Sequence, residues 1–328
     1  MVGSSRTRRG TIRDKPAVHG IHHVTAIAGD AQENLTFYAG VLGMRLVKRS
    51  VNQDDPGTYH LFYADAAGTP GTDVTFFPWS RLAPARRGAG MVGEIALAVS
   101  SGSLAWWRER LAMHGVVRTE DESRFGEPAL PFRDPHGLPL ALVEIEEERA
   151  FAAWEASSVP VEHQIRGVHA VRIQERVLGP TVELLEGVLG FARVASDEGW
   201  HRWAASAGSG AYADFREAPE APFGRWGTGA VHHVAWRVRD DEEQLAVRAA
   251  VEAIGLSPTP VIDRFWFHSV YFKEPGGTLF ELATDGPGFD RDEDPARLGE
   301  TLVLPPWLER QRREIEAALP PLEVPSAV

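Results

Sequence analysis

The chain has 328 residues, 43% of them hydrophobic, and a formal net charge of −12 at pH 7. It is long enough for two domains of ~100–200 residues each. Its acidic balance argues against general binding to nucleic acid or anionic membrane, which needs clustered Lys and Arg, so small organic substrates suit it better. There is no cysteine, which removes disulfides, thiolate zinc sites and iron–sulfur clusters and leaves His, Asp and Glu to hold any metal. No apolar run approaches the ~18 residues of a membrane span. The basic, polar stretch 1–15 has no apolar signal segment, so residues 1–17 are expected to form a disordered arm and the protein to be cytoplasmic.

Along the chain, four stretches open a strand in nearly the same words, at intervals of about 70 residues: Gly-Ile-His-His-Val-Thr (20–25), Gly-Glu-Ile-Ala-Leu (93–97), Gly-Val-His-Ala-Val-Arg (167–172) and Val-His-His-Val-Ala-Trp (231–236). Each precedes a helix with its own signals. Asp30 is placed to cap the first, which carries Leu35, Phe37, Tyr38 and Val41 and stops at Gly43; Ser101 or Ser103 precedes the second, which stops at Gly115. Pro180 suits the first turn of the third, before Gly190, and Asp240 and Asp241 start the fourth, before Gly255. Short β-rich runs follow each helix, as at 44–49, 60–63 and 74–77. The unit is therefore βαβββ.

Four such modules predict an α+β fold of two curved mixed-sheet barrels flanked by helices. Modules 1 and 2 fill residues 18–145 and modules 3 and 4 fill 166–290, with 146–165 as a linker holding one helical turn. Beyond them, 291–328 is a tail whose Pro305-Pro306 introduces an amphipathic helix around 307–319 and which packs on the body.

The ends of modules 2 and 4 align through Phe132-Arg-Asp-Pro-His-Gly and Phe272-Lys-Glu-Pro-Gly-Gly, which sets Glu281 against Ala141. A carboxylate among Leu279, Phe280 and Leu282 is costly to bury unpaired and calls for a cation or a metal, a salt bridge being the plainer choice. Strand alternation puts His22, Val24 and Ala26 on one face of the first opener and His23, Thr25 and Ile27 on the other. The same rule groups His232 with Val234, Trp236 and Val238, and His233 with Ala235 and Arg237. The more apolar faces are expected to meet the helices, which directs His23, His233 and Glu281 into one cavity. Two imidazoles and a carboxylate form the donor set used for non-haem Fe(II), with open positions, and Mn(II) also fits. The equivalents in the other modules are Glu94, Ala170 and Ala141, so one complete site is expected, held jointly by modules 1 and 4, with modules 2 and 3 as a companion barrel.

The module order, with ligands at module starts and a closing-strand Glu, resembles the vicinal oxygen chelate superfamily of glyoxalases, resistance proteins and extradiol dioxygenases. Further stretches resemble its hydroquinone and chlorohydroquinone ring-cleaving dioxygenases: Leu46-Val-Lys-Arg, Tyr59-His-Leu-Phe-Tyr-Ala-Asp with Gly68-Thr-Pro-Gly-Thr, Arg124-Phe-Gly, and Asp292-Glu-Asp-Pro-Ala-Arg-Leu-Gly. The likeness spans roughly residues 18–320. It implies Fe(II) on His23, His233 and Glu281, supporting roles for His232, Arg264, Tyr271 and Thr25, and O2 and an aromatic diol as substrates. His232 or Tyr271 would handle protons and Arg264 would stabilise anionic oxygen. Trp266 stands where the family carries another aromatic.

Other readings stay open: a catechol extradiol dioxygenase, a glyoxalase-like isomerase or lyase with a Lewis-acid metal, and a non-enzymatic small-molecule binding or resistance protein. The glyoxalase reading commonly needs a fourth protein ligand, and none is obvious. His60, His163, His169 and His268 read as core or surface histidines, Trp106-Trp107 as helix packing, and 207–210 as lacking a phosphate-loop pattern. A homo-oligomer is compatible with all of these.

Overall fold

The computed structural model describes residues 17–147, 149–205 and 210–324. Of the expected arm only Ala17 falls within them, and residues 207–209 of the small-residue stretch also lie outside. Module 1 runs β1 (Ile21–Ala28), α1 (Ala31–Leu35, continued by a π-helical turn Thr36–Val41), β2 (Arg45–Asn52), β3 (Asp55–Ala64) and β4 (Asp73–Pro78). Module 2 runs β5 (Met91–Ser100), α2 (Leu104–Met113), β6 (Glu122–Arg124), β7 (Glu127–Arg133) and β8 (Pro139–Ile145). A 3-10 turn at Val161–His163 leads to module 3, with β9 (Val168–Glu175), α3 (Gly179–Gly187), β10 (Ala192–Asp197), β11 (Trp200–Ala204) and β12 (Tyr212–Glu217). Module 4 has β13 (Val231–Val238), α4 (Asp241–Ala253), β14 (Ile262–Asp263), β15 (Phe267–Lys273) and β16 (Leu279–Pro287); the tail carries α5 (Arg312–Ala318). None of the described helices is long and apolar enough to cross a membrane.

Local chemistry sets the helix ends. Asp30 Oδ1 accepts from the Glu33 amide at 2.9 Å, and Asp240 Oδ1 from the Glu243 amide at 2.9 Å, each satisfying a first-turn donor. Helix α2 differs from expectation: Ser103 precedes it without capping, and Glu144 Oε1 reaches across from β8 to take the Leu104 amide at 2.7 Å. Gly43 ends the first helix at φ +67°, where a Cβ would lie 2.4 Å from Val159 Cγ2, so both the turn and the packing require glycine.

Two eight-stranded sheets result, ordered β14-β15-β16-β13-β1-β4-β3-β2 and β10-β11-β12-β9-β5-β8-β7-β6. Within each module the opening and fourth strands pair in parallel, which the crossover helix permits. Antiparallel pairing of the openers, β1 with β13 and β5 with β9, joins the modules. Modules 1 and 4 thus build one barrel and modules 2 and 3 the other. The outer faces pack on the helices in one continuous core that includes Leu35, Trp107, Leu184, Val247 and Trp236.

The openers depart from simple alternation. In the β1–β13 ladder Ile21 faces Trp236 and His23 faces Ala235, leaving His22 as an extra residue; Thr25 faces His233 and Ala26 faces Val231, leaving His232 extra. Each is a β-bulge, and it turns the strand so that Ile21 and Val24, or Val231 and Val234, lie on the helix-facing side although three residues apart. The expectation that His22 and His232 share the apolar face is therefore corrected. His22 and His23 both lie against the Phe267 ring, at 5.4 and 5.2 Å between centroids, inside the barrel.

The tail is pinned to the barrel of modules 1 and 4. Lys48 on β2 is fully buried, and its Nζ donates to the Phe289 carbonyl at 2.8 Å, to Asp292 Oδ1 at 2.9 Å and to Glu293. Two of the motifs quoted above, around Lys48 and Asp292, thus meet in one ion-pair cluster. Leu308, Ile315 and Leu319 bury the apolar side of the tail, and Tyr59 Oη donates to the Pro320 carbonyl at 2.9 Å.

Candidate metal centre

His23 and His233 lie diagonally across the β1–β13 pair, and Glu281 enters from β16, beside Ala235. His23 Nε2 and His233 Nε2 are 3.3 Å apart and lie 3.4 and 2.9 Å from Glu281 Oε2. All three side chains are buried. Metal–donor bonds of about 2.1 Å set neighbouring donors about 3.0 Å apart on an octahedral face and about 3.4 Å apart in a tetrahedron, the interval seen here. Glu281 Oε2 is buried without a hydrogen bond of its own, while Oε1 accepts from Ser269 Oγ at 2.5 Å. An unsatisfied carboxylate oxygen facing two imidazole nitrogens fits a divalent cation. Among the described residues this is the one cluster of metal-ligating side chains, and it has three members, without a fourth.

The far sides of the two imidazoles are fixed too. His23 Nδ1 meets His22 Nδ1 at 3.0 Å, and His233 Nδ1 meets His232 Nδ1 at 2.8 Å. Burial, then the neighbouring imidazole, lowers His22 and His232 to about 3, so both are neutral and the Nδ1 of each can accept an Nδ1–H from His23 or His233. That tautomer leaves each ligand Nε2 free to bind metal. Burial also lowers His233, although Glu281 opposes it. For Glu281 burial acts upward, but His23 and His233 overcome it and hold the carboxyl well below its usual range.

Above the triad lies a cavity walled by Phe62, Phe77, Trp266 and Phe267, with Arg264 and Tyr271 supplying polar groups. Arg264 is held by Asp54 through bonds of 3.2 and 2.8 Å, and the Gln53 amide donates to the Arg264 carbonyl at 2.8 Å, so the β2–β3 turn braces the cavity mouth. Burial pushes the Tyr271 hydroxyl well up, and Glu281 adds to the effect; the phenol therefore stays protonated, in contact with Arg264 and Ser269. The other two residues implied by resemblance do not line the cavity. Thr25 is buried against Thr75 at 2.8 Å, and His232 stands behind His233 with its ring 4.5 Å from Trp226.

A family model described as Glyoxalase/Bleomycin resistance protein/Dioxygenase superfamily matches residues 20–142 and 167–282. The chain belongs to this superfamily. A Bacillus subtilis superfamily protein named "Putative ring-cleaving dioxygenase MhqO" is 44% identical over 305 residues, covering 93% of this chain and 97% of its own. The chlorohydroquinone/hydroquinone 1,2-dioxygenase of Sphingobium indicum is 32% identical over 309 residues, covering 91% and 95%. A Bacillus subtilis crystal structure described as a putative dioxygenase superposes with a TM-score of 0.90 at 43% identity, over 95% of this chain and 99% of that one. Maize glyoxalase I shares the fold at a TM-score of 0.61 and 16% identity, over 81% and 92%.

The second barrel does not repeat the triad. Ala141 and Ala170 join a small apolar interior with Ala96, Ala129, Val143 and Tyr212, and Glu94 is engaged by Arg124. His169, on the bulge equivalent to His22, is tied to Glu127 at 3.0 Å and Arg149 at 2.9 Å; Arg202 bridges Glu127 and Asp214. Ion pairs thus occupy the interior of this barrel. His163 stacks on Trp106 and His268 pairs with Asp241, as structural histidines. His60 does not follow them: its ring lines the cavity above the triad. Sequence reading also passed over His22, Ser269 and Asp54. His22 had a signal in its alignment with His232, whereas nothing local marked the other two.

Proposed function

We propose that this protein is a ring-cleaving dioxygenase that uses Fe(II) on His23, His233 and Glu281 to insert O2 into a hydroquinone-type aromatic diol. The observation that carries the reading is the triad itself: two imidazoles and one carboxylate converge beneath an aromatic-walled cavity and leave the remaining coordination positions to substrate and oxygen. The relatives named for ring cleavage support the reaction class, and the Sphingobium enzyme supports the substrate class. Both oxygen atoms enter the product as one ring C–C bond beside a hydroxylated carbon breaks, so the reaction needs no external reductant.

When bound, the iron supplies a common binding point for diol and O2 and lets a singlet substrate exchange electrons with triplet oxygen. The protein supplies everything around it. Phe62, Phe77 and Phe267 stack about the ring and exclude water, which strengthens each polar contact inside. Arg264, fixed by Asp54, presents positive charge to oxygen atoms that become anionic. Tyr271 Oη, held protonated, donates to the same region.

Protein purified without oxygen and loaded with Fe(II) is expected to consume one O2 per hydroquinone in an oxygen electrode. The reading fails if the protein takes up no iron, or if a panel of hydroquinones and catechols gives no oxygen uptake.

A further inference from the structure

His60 on β3 stands one layer above the triad, toward the cavity mouth, between the rings of Phe62 at 3.9 Å and Phe77 at 4.4 Å. Its Nε2 lies 2.9 Å from Thr75 Oγ1, which lies 2.8 Å from Thr25 Oγ1. Both threonines are fully buried. A buried hydroxyl must place its proton on an acceptor. Thr25 makes its side-chain hydrogen bond to Thr75, so a chain in which Thr25 donates to Thr75 and Thr75 donates to His60 Nε2 uses both protons. The opposite direction leaves the Thr25 O–H without its Thr75 acceptor. The first direction makes His60 the Nδ1–H tautomer, with that N–H on the ring edge turned away from Thr75.

We propose that His60 is a specificity-determining residue: its Nδ1–H donates to the diol hydroxyl that does not bind the metal, and so selects diols whose hydroxyls lie at opposite ends of the ring. The inference rests on the proposed diol chemistry. A 1,4-diol that puts one oxygen on the metal necessarily points the other away from it, into the space between triad and mouth where His60 sits. A 1,2-diol brings both oxygens to the metal and leaves His60 unused. Sites that hydrogen-bond a substrate hydroxyl reject analogues lacking it far more strongly than apolar pockets discriminate by size. The Thr75–Thr25 chain makes the donor rigid, because the ring cannot turn without leaving a buried hydroxyl unpaired.

The test compares the metal-loaded wild type with His60→Phe, which keeps the aromatic packing and removes the donor, and His60→Asn, whose amide nitrogen falls near the place of Nδ1. Binding of hydroquinone and catechol is measured without oxygen by tryptophan fluorescence, and turnover with oxygen by electrode. For His60→Phe, hydroquinone affinity and kcat/KM are expected to fall about 10- to 100-fold, with metal content and catechol affinity unchanged; His60→Asn should recover most of the loss. Unchanged hydroquinone affinity in His60→Phe, an equal loss for catechol, or equal losses in the two variants would overturn the assignment. If the wild type turns over no diol, the proposed activity fails, while the anaerobic binding arm still decides the role of His60.

Discussion

The Nδ1 atoms of His232 and His233, adjacent in the chain, lie 2.8 Å apart because a bulge turns both rings out of the β13 alternation. The pair on β1, His22 and His23, repeats the arrangement at 3.0 Å, and His22 is tied further to the Thr284 backbone. Each outer histidine can accept the Nδ1 proton only while neutral, the form that its burial favours. Replacing the acceptor by Leu frees the ligand ring to rotate or change tautomer. His232→Leu and His22→Leu are expected to weaken metal binding about 10- to 100-fold, measured by competition with a chelator, and His232→Gln to restore part of it. Wild-type affinity in both Leu variants would refute the orienting role.

The three candidate ligands give a sharper response. His23→Ala, His233→Ala and Glu281→Ala are each expected to lower bound metal from one per chain to a trace by elemental analysis, with oxygen uptake lost in parallel. Circular dichroism should keep its wild-type shape, since the barrel is held by the strand ladders and by a helix-facing core to which these side chains do not belong. Full metal content in any one of them removes that residue from the site.

Much of this was legible in the sequence because it was written four times. The repeated openers gave the modules, and the closing-strand Glu281 against Ala141 marked the barrel that holds the candidate metal centre. What alternation could not give was the placement of His22 and His232, because a bulge adds one residue and reverses the faces beyond it. The trace was nevertheless there: apolar residues three apart, Ile21 and Val24, Val92 and Ile95, Val168 and Val171, Val231 and Val234, recur at all four openers and all lie in the helix-facing core. His60 was illegible for another reason. Its role comes from Thr75 and from ring contacts made across the barrel, which no local pattern records.

The tail clamp predicts a stability effect away from the chemistry. Lys48 is buried, with Glu293 nearly so and Asp292 partly exposed, so deleting the lysine leaves two carboxylates without their cation. Lys48→Met is expected to cost about 3–5 kcal/mol, the usual range for breaking a buried pair by removing one partner, read as a lower denaturant midpoint. Adding Asp292→Asn and Glu293→Gln should recover part of that loss, since the stranded charges go with it. A loss below 1 kcal/mol in the single variant would show that the cluster behaves as a solvated surface pair.

A second buried carboxyl pair makes stability depend on pH. Glu175 at the end of β9 and Glu274 in the β15–β16 turn are both buried and share Thr181 Oγ1, at 2.7 and 2.9 Å. The amides of Gly276 and Thr278 donate to Glu274, both at 2.6 Å. Burial, and then the Glu274 charge, push Glu175 up to about 9. A raised carboxyl means that the native state holds a proton the unfolded chain releases near pH 4.5. Its contribution is therefore complete at pH below that value and is lost progressively as pH rises toward 9. Glu175→Gln keeps the shape and carries no charge, so it should raise the denaturant midpoint at pH 8, by about 1 kcal/mol or more, and leave it nearly unchanged at pH 4.5. Parallel stability–pH curves for the two proteins between pH 5 and 9 would show that Glu175 ionises normally in the fold.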